Sequence, residues 1–204
     1  MRNDSRSLQK PQNNSLRLFI AVNLPEVIIK NLQDIKTDIP GLKWGTLVNL
    51  HLTMRFIGDI DNENLSLIEN ALDLVKDQAF IAKIASLGLF NRRTGTVLWA
   101  GLESSQELLE FKKNIDNALL EKVGLIPENR AFAPHITLAR MKTSATQEIK
   151  NFVNINRAKA RNSFPVDYLT LYKSDLTRAG AIHTPLKTVH LVQALTSFKA
   201  ELNE

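Results

Sequence analysis

The sequence predicts an α+β fold, a single body in which two sheets face one another and the two halves of the chain repeat one α+β unit. Three observations lead there. Strand-like and helix-like segments follow in the order strand-helix-strand-helix, strand-strand-helix, strand-helix, strand-strand. One His-x-Thr string stands in each half, His51-Leu52-Thr53 and His135-Ile136-Thr137, each inside an apolar alternating run. The 204 residues, 44% of them hydrophobic, suffice for one substantial core. The repeat rests on element order, because identity does not extend beyond His-x-Thr and its apolar flanks.

Leu16 to Asn23 reads as a first strand, and Pro25 then opens a helical pattern to about Ile35, at a position where its missing N–H costs little. That helix ends near Asp38-Ile39-Pro40-Gly41. The strand around His51 is closed by Gly58-Asp59, and an amphipathic helix runs from about Asn62 to Asp77, with Leu65, Ile68, Leu72 and Val75 on its stripe. Ile81 to Leu89 and Val97 to Leu102 read as strands about the turn-rich Asn91-Arg92-Arg93-Thr94-Gly95. A helix from about Ser105 to Val123 leads to the strand around His135. A short helix near Thr146 to Val153 and strands over Phe164 to Tyr172 and His183 to Val192 complete the order. Residues 1–15 and 193–204 are expected to be tails, the first disordered, around a single domain over 16–192.

In an extended chain, side chains at i and i+2 leave the same face about 6.6–7 Å apart. Each string therefore sets an imidazole beside a hydroxyl, on the scale of a phosphate group. Along Leu50-His51-Leu52-Thr53-Met54-Arg55-Phe56, regular alternation places His51, Thr53 and Arg55 on one face and the apolar residues, Phe56 included, on the other. The second string repeats the pattern, with Pro134 tolerable at the first strand position. Arg140 has the wrong parity for the His face and could join it only past the strand end or beyond a bulge. If the strands are adjacent, two imidazoles and two hydroxyls converge on one anionic centre, the equipment for acid–base cleavage of a phosphodiester. A solvated structural role is the bland reading of a single His. Zinc is the competing reading of the pair, yet there is no cysteine and neither string has a second His or acid at ligand spacing. Neither a metal nor another cofactor is expected.

The net charge of +5 and pI near 9.5 favour an anionic partner such as RNA. Zero cysteine excludes a disulfide framework and fits a reducing cytoplasm, the expected location. No run approaches the roughly 18–20 apolar residues of a membrane span. Met1 to Ser15 lacks the apolar h-region of a signal peptide. Trp99 is expected in the core and Trp44 could pack or stack on a base. His183 and His190 read as structural, and Arg92-Arg93 as a solvated loop.

Arg17-Leu18-Phe19-Ile20-Ala21-Val22, Asn49 to Asp59, Val97-Leu98-Trp99-Ala100-Gly101-Leu102, Phe132 to Arg140 and Leu171-Tyr172-Lys173-Ser174 together resemble, in order, the signatures of the 2H phosphoesterases. Within that superfamily the residues are similar to the RNA 2',3'-cyclic phosphodiesterase (2'-5' RNA ligase-like) branch. The resemblance implies a bilobal fold, two antiparallel sheets facing a central cleft with helices outside and one His-x-Thr strand per lobe. It implies no metal, His51 as proton donor and His135 as proton acceptor. Thr53 and Thr137 would hold phosphate oxygens, Arg140 would add charge, and Phe19 is the candidate aromatic for the nucleotide. The implied activity is hydrolysis of a terminal 2',3'-cyclic phosphate to a 2'-phosphomonoester, with reverse 2'-5' ligation. The implied partner is RNA with such an end, tRNA fragments included, met by a monomer. The chain departs from the family pattern in two places: a basic residue usually stands near Thr96, which Arg92 and Arg93 could replace, and a Tyr often stands where His183 does. The alternatives are an enzyme of 2'-5' oligonucleotides or small cyclic phosphates, and a catalytically idle RNA-end binder.

Overall fold

The computed structural model describes residues 15–46, 49–178 and 180–193. The expected tails lie outside these, apart from Ser15, which opens the first strand, and Gln193. In chain order the elements are β1 (Ser15–Asn23), α1 (Glu26–Asp34), β2 (Leu42–Trp44), β3 (His51–Asp61), α2 (Leu65–Leu72), β4 (Phe80–Arg92), β5 (Gly95–Leu102), α3 (Gln106–Val123), β6 (His135–Met141), α4 (Gln147–Asn156), β7 (Asn162–Val166), β8 (Tyr168–Thr177) and β9 (Gly180–His190). The α+β class is as expected.

The strands lie in the order β7-β4-β5-β6-β3-β1-β8-β9, with β2 also on β6, and every ladder between them is antiparallel. The order divides into two wings. One is β3-β1-β8-β9 and the other β7-β4-β5-β6 with β2; they meet at the pair Leu52↔Ile136. The repeat is visible in this layout: β1, α1 and β3 with neighbour β8 correspond to β5, α3 and β6 with neighbour β4. Each His-x-Thr strand is the inner strand of its wing.

Local chemistry sets the helix ends. The hydroxyls of Ser105 and Thr146 accept from the N–H groups of Leu108 and Ile149, capping α3 and α4. Gly124, at φ 71°, closes α3 in the left-handed conformation that a side chain disfavours. The helix expected from Asn62 to Asp77 is shorter. A 3-10 turn at Asn62–Asn64 leads into α2, and after Leu72 the chain leaves in successive tight turns that still carry Val75 into the core.

Three strands differ from expectation. The run Phe164 to Tyr172 is two strands broken at Asp167, because β7 pairs with β4 while β8 pairs with β1. One apolar run thus crosses from wing to wing. β2, unmarked by any alternation, forms where Leu42 to Trp44 can pair with Met141 to Ala139. Gly58-Asp59 does not close β3, which runs on to Asp61 through a register shift at Gly58.

The core includes Leu52, Met54, Ile136 and Leu138 from the two motif strands together with Ile68, Leu72, Leu108, Phe111, Ile115 and Leu119 from α2 and α3. Burial of such side chains, at roughly 1.5–3 kcal/mol each, holds the motif strands rigidly. Among the described residues no helix is long and apolar enough to cross a membrane.

Candidate active site

Leu52 and Ile136 are both fully buried and directly paired. One step along antiparallel strands in either direction, His51 stands across from Thr137 and Thr53 across from His135. All four are half-buried, on the face opposite Leu52 and Ile136. The β1 and β5 ladders extend the same face: Ala21 pairs with Thr53 and Asn23 with His51, Trp99 with Thr137 and Gly101 with His135. The two imidazoles are close enough that charge on His135 disfavours charge on His51. No hydrogen bond is made by either threonine hydroxyl among the described residues, and both side chains are half-buried.

The His135 ring is tied to the backbone two residues upstream. His135 Nδ1 donates to the Ala133 carbonyl at 2.8 Å, which leaves Nε2 of the neutral ring free to accept a proton. The backbone of Asn49, at the corresponding position, favours the charged form of His51. Burial acts the other way and dominates. With the neighbouring His183, it lowers the His51 pKa to about 4. His135 is lowered too, first by burial and then by the cations Arg92, Arg130 and Arg140.

The surroundings of the two rings differ in kind. His51 lies in an aromatic wall, 4.9 Å from Phe19 and 5.5 Å, edge to face, from His183. Tyr172 stacks on Phe19 at 5.2 Å, its hydroxyl donating to Asn23 Oδ1 at 2.7 Å. His135 meets Phe90 edge-on at 5.0 Å; Phe90 in turn lies 5.0 Å from Trp99 and beneath the Arg92 guanidinium at 5.8 Å.

Several expectations need correction. Phe19 is only 2% exposed, covered by Tyr172, His51, His183 and Phe56, so it has no free face for a nucleobase and instead backs the His51 ring. Arg55 does not share the His51 face. In β3, Ile20 pairs with Arg55 but Ala21 with Thr53, so Met54 is an extra residue and the parity inverts beyond it. Arg55 is therefore buried, its guanidinium 3.5 Å from Asp116 and donating to the Ile126 carbonyl at 2.6 Å. Phe56, expected inside, is 53% exposed beside Phe19. The same irregularity recurs in β6, where Leu98 pairs with Ala139 and Trp99 with Thr137, leaving Leu138 extra. That bulge turns Arg140 to the His face, as the sequence required for it to join.

Trp99 is not in the core. It is half-buried on the Thr137 face, and its indole lies flat across the backbones of Gly88 and Gly101, where an added Cβ would come within 2.2 and 2.5 Å of the ring. Trp44 packs edge-on against Phe152 and donates its N–H to the Thr37 carbonyl. Thr96 is buried with its hydroxyl donating to the Thr143 carbonyl, so the basic charge on this side belongs to Arg92. His183, taken as structural, is a third imidazole of the site. The one signal for it was the resemblance, in which a Tyr often stands at this position; in the structure the β8–β9 ladder brings it beside His51.

A family model described as the 2'-5' RNA ligase superfamily matches residues 24–178. The chain is 32% identical over 176 residues to a protein of Methanocaldococcus jannaschii named RNA 2',3'-cyclic phosphodiesterase, covering 84% of this chain and 99% of that one. It is 28% identical over 180 residues to the Escherichia coli protein of the same name, covering 87% and 97%. Among solved structures, a Thermus thermophilus protein superposes with a TM-score of 0.70 at 27% identity, covering 86% of this chain and 97% of that one. Escherichia coli LigT in its apo form gives 0.71 at 24% identity, covering 88% and 99%.

Proposed function

Since this chain belongs to the 2'-5' RNA ligase superfamily, we propose that it is an RNA 2',3'-cyclic phosphodiesterase in which His51 and His135 act on one phosphorus. The observation that carries this reading is the Leu52↔Ile136 pair, which sets two His-x-Thr strands side by side with their imidazoles and hydroxyls on one face.

A cyclic phosphate held between the strands would accept hydrogen bonds from Thr53 and Thr137 on its non-bridging oxygens, where charge grows as water attacks. His135, fixed with its proton on Nδ1, takes the water proton on Nε2. As the P–O3' bond breaks, the His51 imidazolium protonates the departing 3' oxygen, and the product is a 2'-phosphomonoester with a free 3' hydroxyl. Arg140, on the same face, adds positive charge beside the phosphate.

His51 can serve as donor only when cationic, yet burial holds its pKa near 4 in the free protein. The phosphate anion reverses this balance, because an opposite charge at contact distance favours the protonated ring. The proton therefore arrives with the substrate. Run backwards, with a 5' hydroxyl in place of water, the same groups would join two RNA ends through a 2'-5' linkage. RNA lies with its polyanionic backbone toward the Arg92, Arg130 and Arg140 side of the cleft, and tRNA fragments are among the ends it would meet.

The test is incubation with a short RNA ending in a 2',3'-cyclic phosphate, followed by identification of the product. A 2'-phosphate is expected. No turnover, or a 3'-phosphate product, contradicts the reading, and the absence of turnover with tight binding would favour the idle RNA-end binder.

A further inference from the structure

The chain segments that lead into the two catalytic histidines are braced differently. On the His135 side, the approach to the strand is held by backbone alone: Leu102 N–H donates to the Pro134 carbonyl at 3.0 Å and Gly101 pairs with His135. On the other side, the β1 ladder begins only at His51, paired with Asn23. Asn49, which stands two residues before His51 as Ala133 stands before His135 and whose backbone favours the charged His51 ring, precedes that ladder. Its own N–H donates to the Thr46 carbonyl at 3.0 Å, and its side-chain Nδ2 donates to the Ala181 carbonyl in β9 at 3.1 Å. One half-buried amide thus spans from the entrance of β3 to the far strand of the wing.

The packing around His51 cannot do the same work. Phe19 and His183 fix the plane of the ring, but ring contacts do not decide which nitrogen carries the proton of the neutral form. A hydrogen bond from a ring N–H to a carbonyl does, as the Ala133 carbonyl does for His135. We infer that Asn49 is a positioning residue: by tying itself to β9 through its side-chain amide, it fixes the carbonyl that orients His51 for proton transfer. The inference rests on the reading of His51 as proton donor. It assigns the asparagine a task that the corresponding residue of the other motif, Ala133, leaves to the β5 backbone.

Asn49→Asp is the closest test, keeping the shape but replacing the N–H donor by an oxygen that faces the Ala181 carbonyl. Asn49→Ala serves if the carboxylate prevents folding. The tautomer of His51 is read by nitrogen NMR on the substrate-free protein, alongside kcat and KM on the cyclic-phosphate RNA. The expected result is a single tautomer in the parent and a mixture in the variant. With it goes a kcat lower by roughly 10- to 100-fold, the scale of a small misplacement at a reacting centre, and a KM within about threefold. An unchanged His51 tautomer overturns the inference, whatever happens to turnover. Because that reading needs no substrate, it stays distinguishable from failure of the proposed activity, which would show as an inactive parent protein.

Discussion

Met54 and Leu138 hold the same place in the two halves of the molecule: each is the residue that the ladder skips immediately after a motif threonine. Both are buried, as are the next residues, Arg55 and Ala139. The effect is that the third residue after each threonine, Phe56 in one half and Arg140 in the other, turns to the face of the histidines. The repeated unit therefore includes a bulge as well as two side chains. Divergence at its last position makes one wall of the cleft aromatic and the other cationic.

The first prediction concerns pH and stability. His51, His135 and His183 all have pKa values lowered by burial, His51 to about 4 from 6.5. The unfolded chain binds these protons first, so the stability they contribute is full above about pH 6.5 and is lost as pH falls through the folded values. Thermal unfolding should show Tm falling between about pH 6.5 and 4.5, with a shallower fall in His51→Gln. A His51→Gln slope equal to the parent's would contradict the burial of that ring.

Anion binding should move the same group in the opposite direction. With inorganic phosphate in the cleft, His51 should titrate at least about one pH unit higher than in the free protein, as read by NMR of its ring. A titration insensitive to phosphate would separate His51 from the anion site and remove the account of how a depressed imidazole becomes a proton donor.

Trp99 gives a packing test. A Cβ at Gly88 would lie 2.2 Å from the indole, and the ring cannot slide because Gly101 and Phe90 lie close about it. Gly88→Ala should cost roughly 1–3 kcal/mol in denaturant unfolding, the usual penalty of overpacking. It should also lower turnover, since Phe90 links Trp99 to His135. Adding Trp99→Leu should restore most of the stability. If Gly88→Ala alone is neutral, the indole does not lie where described.

Arg55 gives an electrostatic one. It is buried against Asp116 and caps the Ile126 carbonyl on the approach to β6, while Lys112 pairs with the same aspartate. Arg55→Met should destabilise by roughly 2–4 kcal/mol, because the largely buried Asp116 loses one of its two cations and the Ile126 carbonyl loses its donor. The measurement is urea unfolding; a change under about 0.5 kcal/mol would show the pair to be energetically silent.

Much of the fold was legible because helices and half-buried strands repeat their apolar residues with distinct periods, and capping residues such as Ser105 and Thr146 mark where helices begin. The motif faces were legible for the same reason. What alternation could not convey is an inserted residue: regular parity put Arg55 on the His51 face and Phe56 on the apolar one, and one bulge exchanges them. Long-range pairing is the other blind spot. His183 comes beside His51, and the Asn49 side chain is tied to β9, only through contacts between elements more than a hundred positions apart. Phe19 failed for a third reason, since a residue can lie on the right face and still be covered by its neighbours.

The claim on which the rest depends is that both imidazoles serve one phosphorus, and it is tested most directly by the turnover of His51→Asn and His135→Asn on an RNA ending in a 2',3'-cyclic phosphate, with EDTA present throughout. Each variant should fold, bind the RNA and lose at least about 100-fold in kcat, the usual scale of general acid–base help. Either variant turning over at more than about a tenth of the parent rate would mean that its histidine takes no part in the proton transfers, and the paired mechanism would be wrong.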